Sequence, residues 1–134
     1  MAILRWGEEP EHACVVSDGA ELEQHIRPLV TMAAHSPRIV VVEGVRDHAL
    51  AIGLAGAHAT LSITTTHADT GPEEVFLRGD ADRPGTTTFF LLGTTHSPIL
   101  NELLVPFELA VRAAREFVDS GTLLVGADWE RAES

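Results

Sequence analysis

Between Asp47 and Thr66 the large apolar residues alternate with small and hydroxyl-bearing ones, the period-two signature of a β-hairpin. His48 to Leu54 forms one arm, Ala55-Gly56 the turn, and Ala57 to Thr64 the return. The expected register sets Leu54 against Ala57, Ile52 against Ala59, Leu50 against Leu61 and His48 against Ile63. Every large apolar side chain then falls on one face. The other face carries Ala49, Ala51, Gly53, His58, Thr60, Ser62 and Thr64, a small and hydroxyl-rich set.

On the N-terminal side, Ile3–Trp6 and Ala13–Val16 read as short strands around an acidic turn. Asp18-Gly19-Ala20-Glu21 places an acceptor at an N-cap and a glutamate three residues on, which predicts a helix start. Leu22, Ile26, Leu29, Val30 and Ala33 continue at helical spacing, and Pro28 predicts a bend or break near Arg27. Arg38–Glu43 is a β-branched strand, and Gly44–Asp47 a turn into the central hairpin.

Beyond the hairpin, residues 67–72 and 79–85 read as polar loops around a strand at Glu74–Arg78. Thr86–Leu92 is a strand apolar on both sides toward its end, and Gly93–Asn101 reads as a loop. Pro106 opens a second helix whose stripe is Phe107, Ala110, Val111, Ala114, Phe117 and Val118, closed by Ser120-Gly121. Leu123–Trp129 reads as a last strand with Trp129 packed on that helix or the sheet, and residues 130–134 as a frayed tail. These elements predict an α+β fold, an antiparallel β-meander of about five to seven strands packed with two main helices. The expected organisation is a single domain over residues 1–134.

Charge narrows the function. Twenty acidic residues against nine basic ones, all arginine, give a net charge of −11. Such a chain lacks the positive surface that replaces counterions on nucleic acid, so direct nucleic-acid binding is not expected. It suits a basic partner approached by electrostatic steering, although acidity also serves solubility alone. No apolar run is long enough to span a bilayer and no leader pattern opens the chain, so the expected location is the cytoplasm.

No motif marks catalysis. Cys14 is the single cysteine and reads as a small buried hydrophobe. His48 and His58 fall on opposite faces of the hairpin, His67 and His96 fall in loops, and no ligand spacing supports a metal site. Asp80-x-Asp82 lacks the further oxygens of a calcium loop, and no serine has a nucleophile-elbow context. No phosphate-binding glycine loop is present, and no cofactor is expected.

A wider pattern does carry information. Phe89-Phe90-Leu91-Leu92-Gly93, a polar loop reaching Pro98, then Pro106, Ala110, Ala113, Ala114, Glu116-Phe117, Gly121 and Trp129 together resemble the first-numbered Imm family of bacterial immunity proteins. Trp6 with its acidic turn, Ala20-Glu21-Leu22, Gly53 to Leu61 and Arg78-Gly79-Asp80 extend the resemblance over nearly the whole chain. The chain departs from the family at Phe89-Phe90, where a tyrosine-rich strand is usual, and at Leu123, where a proline is usual.

The resemblance implies an antidote encoded beside a polymorphic toxin, a stoichiometric binder with no catalytic residues of its own. A basic toxin domain, a nuclease or deaminase, is the expected partner, and the oligomeric state is left open. Contact residues are expected on acidic loops, with Asp69, Glu73, Glu74, Asp80 and Asp82 as the candidate patch. An alternative of another class makes the scaffold a small-molecule binder or biosynthetic enzyme. Its pocket would be built from His58, Thr60, Ser62, Thr64 and His96, beneath a covering helix.

Overall fold

The computed structural model describes residues 2–33, 36–65, 73–91 and 95–131. At its centre β4 (His48–Ala55) pairs with β5 (His58–Thr65), setting Leu54 against Ala59, Ile52 against Leu61 and Leu50 against Ile63. His48 meets Thr65 and His58 meets Ala55, so the register is offset by two residues from the one the sequence pattern predicts. An offset of two preserves both faces, because side chains alternate with that period. The turn is Gly56-Ala57, with Gly56 at φ 71°. Tight hairpin turns need positive φ at their first central position, and a turn over Ala55-Gly56 would have forced Ala55 there against its Cβ.

Around this hairpin lie β1 (Ala2–Arg5), β2 (Ala13–Val16), β3 (Arg38–Val45), β6 (Glu74–Leu77), β7 (Thr86–Leu91), β8 (Thr95–Leu100), β9 (Val105–Pro106) and β10 (Trp129–Arg131). They form one ten-stranded sheet in the order β10-β6-β5-β4-β3-β1-β2, with β9 on the free part of β5 and β7–β8 branching from β3. The class is the expected α+β, with more strands than the pattern showed. Among the described residues the pairings are antiparallel except β3 with β7, which run parallel through Arg38–Phe90 and Ile39–Leu91.

Two helices, α1 (Gly19–Ala33) and α2 (Phe107–Ser120), cover one face. Asp18 caps α1 by accepting from the Glu21 amide (2.8 Å), while the Glu21 carboxylate accepts from the Ser17 amide (3.2 Å). The predicted break at Pro28 is absent, and α1 runs through it. Pro28 points to solvent while Leu22, Ile26, Leu29 and Ala33 are buried on the other side, and that burial offsets the missing backbone bond. These residues join Phe107, Ala110, Val111, Ala114 and Phe117 of α2 and the apolar face of β4 and β5 in one core. No helix among the described residues is long and apolar enough to cross a membrane.

The two helices are also tied by charge. Glu23 accepts from Arg115 Nη1 and Arg27 Nε, both at 2.7 Å, and Arg27 forks onto Glu108 at 3.1 and 3.0 Å. Hydrogen bonds from Arg115 and then Arg27 hold the Glu23 carboxyl below its ordinary value. A carboxylate lowered in the folded state stabilises above its unfolded value near ~4.3, and that contribution is lost as pH falls through the lower folded value. Glu23→Gln is expected to flatten the fall of melting temperature below about pH 4.3, with a neutral-pH cost under about 1 kcal/mol because both arginine partners are solvent-screened. Thermal melts of both proteins from neutral to acid check this, and parallel curves would contradict it.

The second face is covered by a hairpin, which the sequence did not announce. Residues 95–100 are a strand, not a loop: β8 pairs with β7 along its length, setting Phe89 against Ser97 and Thr87 against Ile99. Among the described residues β7 is its sole partner in the sheet, so Pro98 sits where a missing amide is tolerated. Asn101 closes the base, accepting from Thr87 Oγ1 (2.6 Å) and donating to the Pro84 carbonyl (2.9 Å). Phe89 is fully buried, its ring lying 3.0 Å from where a Cβ on Gly53 would stand, so the ring rests on bare backbone.

The expected last strand is shorter and later than Leu123–Trp129. Residues 123–128 are irregular, with Val125 95% exposed and Gly126 at φ 90°, and pairing starts only at Trp129 against Leu77. Glu130 and Arg131, expected to fray, belong to β10. The Trp129 indole is half-buried against the core and donates to the Leu124 carbonyl (3.2 Å). Because it is only half-buried, Trp129→Ala is expected to cost about 2–3 kcal/mol, below the usual range for a fully buried ring. Urea denaturation measures the loss, and an unchanged midpoint would contradict the packing.

Candidate functional site

The acidic candidates bracket β6. Glu73 and Glu74 stand exposed at its start, Asp80 and Asp82 are exposed beyond its end, and Asp69 lies outside the described residues. Their roles differ. Asp80 holds its own turn, its carboxylate accepting from the Asp82 amide (2.9 Å) and its carbonyl from the Arg83 amide (3.1 Å). Glu73 faces Arg131 at 3.4 Å. Between the two pairs, Arg78 reaches Glu130 at 2.6 Å and Glu102 at 3.7 Å, joining β10 and the chain before β9 to the end of β6.

The basic side chains are largely engaged in this way. Arg5 pairs with Glu43, Arg27 and Arg115 with Glu23, and Arg78 and Arg131 with the glutamates around β6. Arg46 donates to the Asp119 carbonyl near the end of α2 (3.0 Å). With Arg5, Arg27, Arg78, Arg115 and Arg131 paired to carboxylates and a net charge of −11, the field outside the protein is negative.

The hydroxyl face of β4 and β5 lies where the pattern placed it, but its cover is the β7–β8 hairpin instead of a helix. The helices are drawn to the opposite face because its large apolar residues bury more surface. Between sheet and hairpin lies a cleft of about 340 Å³ lined by Thr60, Ser62, Ile39, Phe76, Leu91, Ile99 and neighbours. Of the five expected pocket residues it takes Thr60 and Ser62. His58 and Thr64 sit toward the two ends of β5, paired with Ala55 and Ala49. His96 is on β8, not in a loop, and its ring meets Phe90 edge-on at 4.8 Å, away from the cleft. The apolar wall was missed, although Ser97 and Ile99 alternating with His96 and Pro98 were a period-two signal.

Other reactive groups are poorly placed for chemistry. Burial, followed by the charge of Glu21, raises the Cys14 thiol above its ordinary value, which disfavours the nucleophilic thiolate. His48 packs edge-on against Phe117 at 5.1 Å, with Nδ1 2.7 Å from the Arg46 carbonyl. Among the described residues no three His, Cys, Asp or Glu side chains come together as a metal-ligand set. A second depression, of about 490 Å³, lies between α1, the Gly56-Ala57 turn and the start of α2. Its cation, Arg27, lies 5.5 Å over the Phe107 ring and is already bound by Glu23 and Glu108.

The arrangement presents a negative surface around β6 and β10, with an apolar cleft beside it. No curated protein matches the chain. The family model for immunity protein Imm1 matches residues 10–129, from the turn before β2 to the first residue of β10. With most of its length matched in this way, the chain belongs to the Imm1 family of immunity proteins.

Proposed function

We propose that this protein is an antidote that binds the toxin encoded beside it and blocks that toxin's active site, one molecule to one. Its membership of an immunity-protein family over residues 10–129 carries this reading. The charge of −11 supports a basic partner, such as the domain of a nuclease or nucleic-acid deaminase, which carries positive surface to hold its own substrate. The protein works in the cytoplasm as a single domain, with Glu73, Glu74, Asp80 and Asp82 at or near the contact and Asp69 in the adjoining segment.

The test is inhibition of the purified toxin domain from the adjacent gene. Residual activity is expected to fall in proportion to added protein and reach zero at equimolar ratio, without dependence on incubation time. Progressive loss of toxin activity at a small fraction of equimolar would instead reveal an enzyme that modifies the toxin. No inhibition at any ratio would remove the proposal.

A further inference from the structure

The cleft on the second face differs from the rest of the interior. On the helix side Leu50, Ile52, Leu54, Leu61 and Ile63 are 2% exposed or less, a filled core. On the hairpin side Phe76, Leu91 and Ile99 remain only half-buried around an open volume of about 340 Å³. That volume lies in the lower part of the range for ligand pockets, roughly 300–1,000 Å³. Small residues create it: Ala51 and Ser62 oppose one another across β4 and β5, and Ser97 faces them from β8. Among its described lining residues Glu74 is the one that carries charge.

Resting on the functional reading above, we propose that this cleft is the anchor site of the complex, receiving an apolar side chain of the toxin that is flanked by lysine or arginine. An aromatic or branched aliphatic side chain would displace water from the walls of Ile39, Phe76, Leu91 and Ile99, while its basic neighbour meets Glu74. Complementarity of charge selects this occupant. A second copy of the chain would bring another −11 to the same surface and be repelled. Interface energy concentrates where such an anchor fills a pocket inside a polar rim. The cleft therefore sets how slowly the complex dissociates, and Glu74 contributes to how fast it forms.

Binding of the purified toxin domain to the full-length protein and its variants tests this. Ser97→Trp fills the cleft from the hairpin and Ala51→Met from the floor. Each, if folded by melting and circular dichroism, is expected to weaken binding at least about 30-fold through faster dissociation. Glu74→Gln is expected to slow association by a few-fold, less so at high salt. A folded Ser97→Trp or Ala51→Met with wild-type affinity overturns the proposal while leaving the functional reading intact. Absence of any wild-type complex overturns both. Methyl NMR on the wild-type protein needs no variant: the Ile39, Ile99 and Leu103 methyls are expected to shift on toxin addition. Unmoved methyls in a formed complex overturn the proposal. If those methyls ignore toxin but shift with 4-phenylbutylammonium, the cleft belongs to a small organic cation instead.

Discussion

Phe89→Ala is expected to lower unfolding stability by about 3–5 kcal/mol, the cost of deleting a fully buried aromatic ring. Phe89 is 0% exposed and lies against Gly53, whose missing side chain makes the space it occupies. It stands apart from the helix-side core and joins the β7–β8 hairpin to the second face. Its removal therefore leaves a void between the hairpin and the backbone of β4 and loosens that cover. Against a typical domain stability of roughly 5–15 kcal/mol the loss is large. Chemical denaturation, followed by circular dichroism and tryptophan emission, measures it. A midpoint within error of wild type would mean that the hairpin does not rest on the sheet as described.

Gly79→Ala is expected to be nearly as damaging, about 3 kcal/mol, at the upper end of the usual cost of overfilling a packed site. A Cβ at Gly79 would run into the Leu104 carbonyl oxygen and crowd that of Glu102. Both are backbone atoms and cannot rotate aside. The Gly79 amide also donates to the Glu102 carbonyl (2.8 Å), fixing the chain before β9 against the end of β6. Shifting that chain would separate Arg78 from Glu102 and move Leu103 at the cleft wall. Denaturation again measures the loss, and toxin affinity is expected to weaken in the same variant. Wild-type stability in Gly79→Ala would contradict the close approach of these two segments.

The sequence made parts of this fold readable because local physics decided them. Alternation from Leu50 to Ile63 identified the central hairpin and both faces, and the Asp18–Glu21 cap and Phe107–Phe117 stripe identified the helices. Local turn chemistry decided one difference, the glycine at the first turn position moving the register by two residues without exchanging faces; the others come from tertiary context. Burial on the far side of α1 carried the helix through Pro28. Thr95–Leu100 looks like a loop by composition, because an edge strand exposed on one side can hold His96, Pro98 and Leu100. Trp129 was correctly tied to the packed part of the chain, but Val125 and Gly126 break the strand expected before it.

For the acidic candidates the sequence shows charge and not geometry. Counting acidic residues around β6 could not show that Glu73 meets Arg131, 58 residues away, or that Asp80 serves its own turn. Nor could it show which element covers Thr60 and Ser62. That depends on β7 running beside β3 and leading β8 across the second face, a contact between distant parts of the chain.

The most direct test of toxin binding by the acidic surface is the rate of complex formation with the purified toxin domain, followed by stopped flow at rising salt. Screening shortens the reach of surface charge from about 30 Å at 0.01 M to about 8 Å at 0.15 M ionic strength. The association rate is therefore expected to fall at least about tenfold over that range while the dissociation rate changes little. An association rate indifferent to salt, or no complex at the lowest salt, would contradict the account.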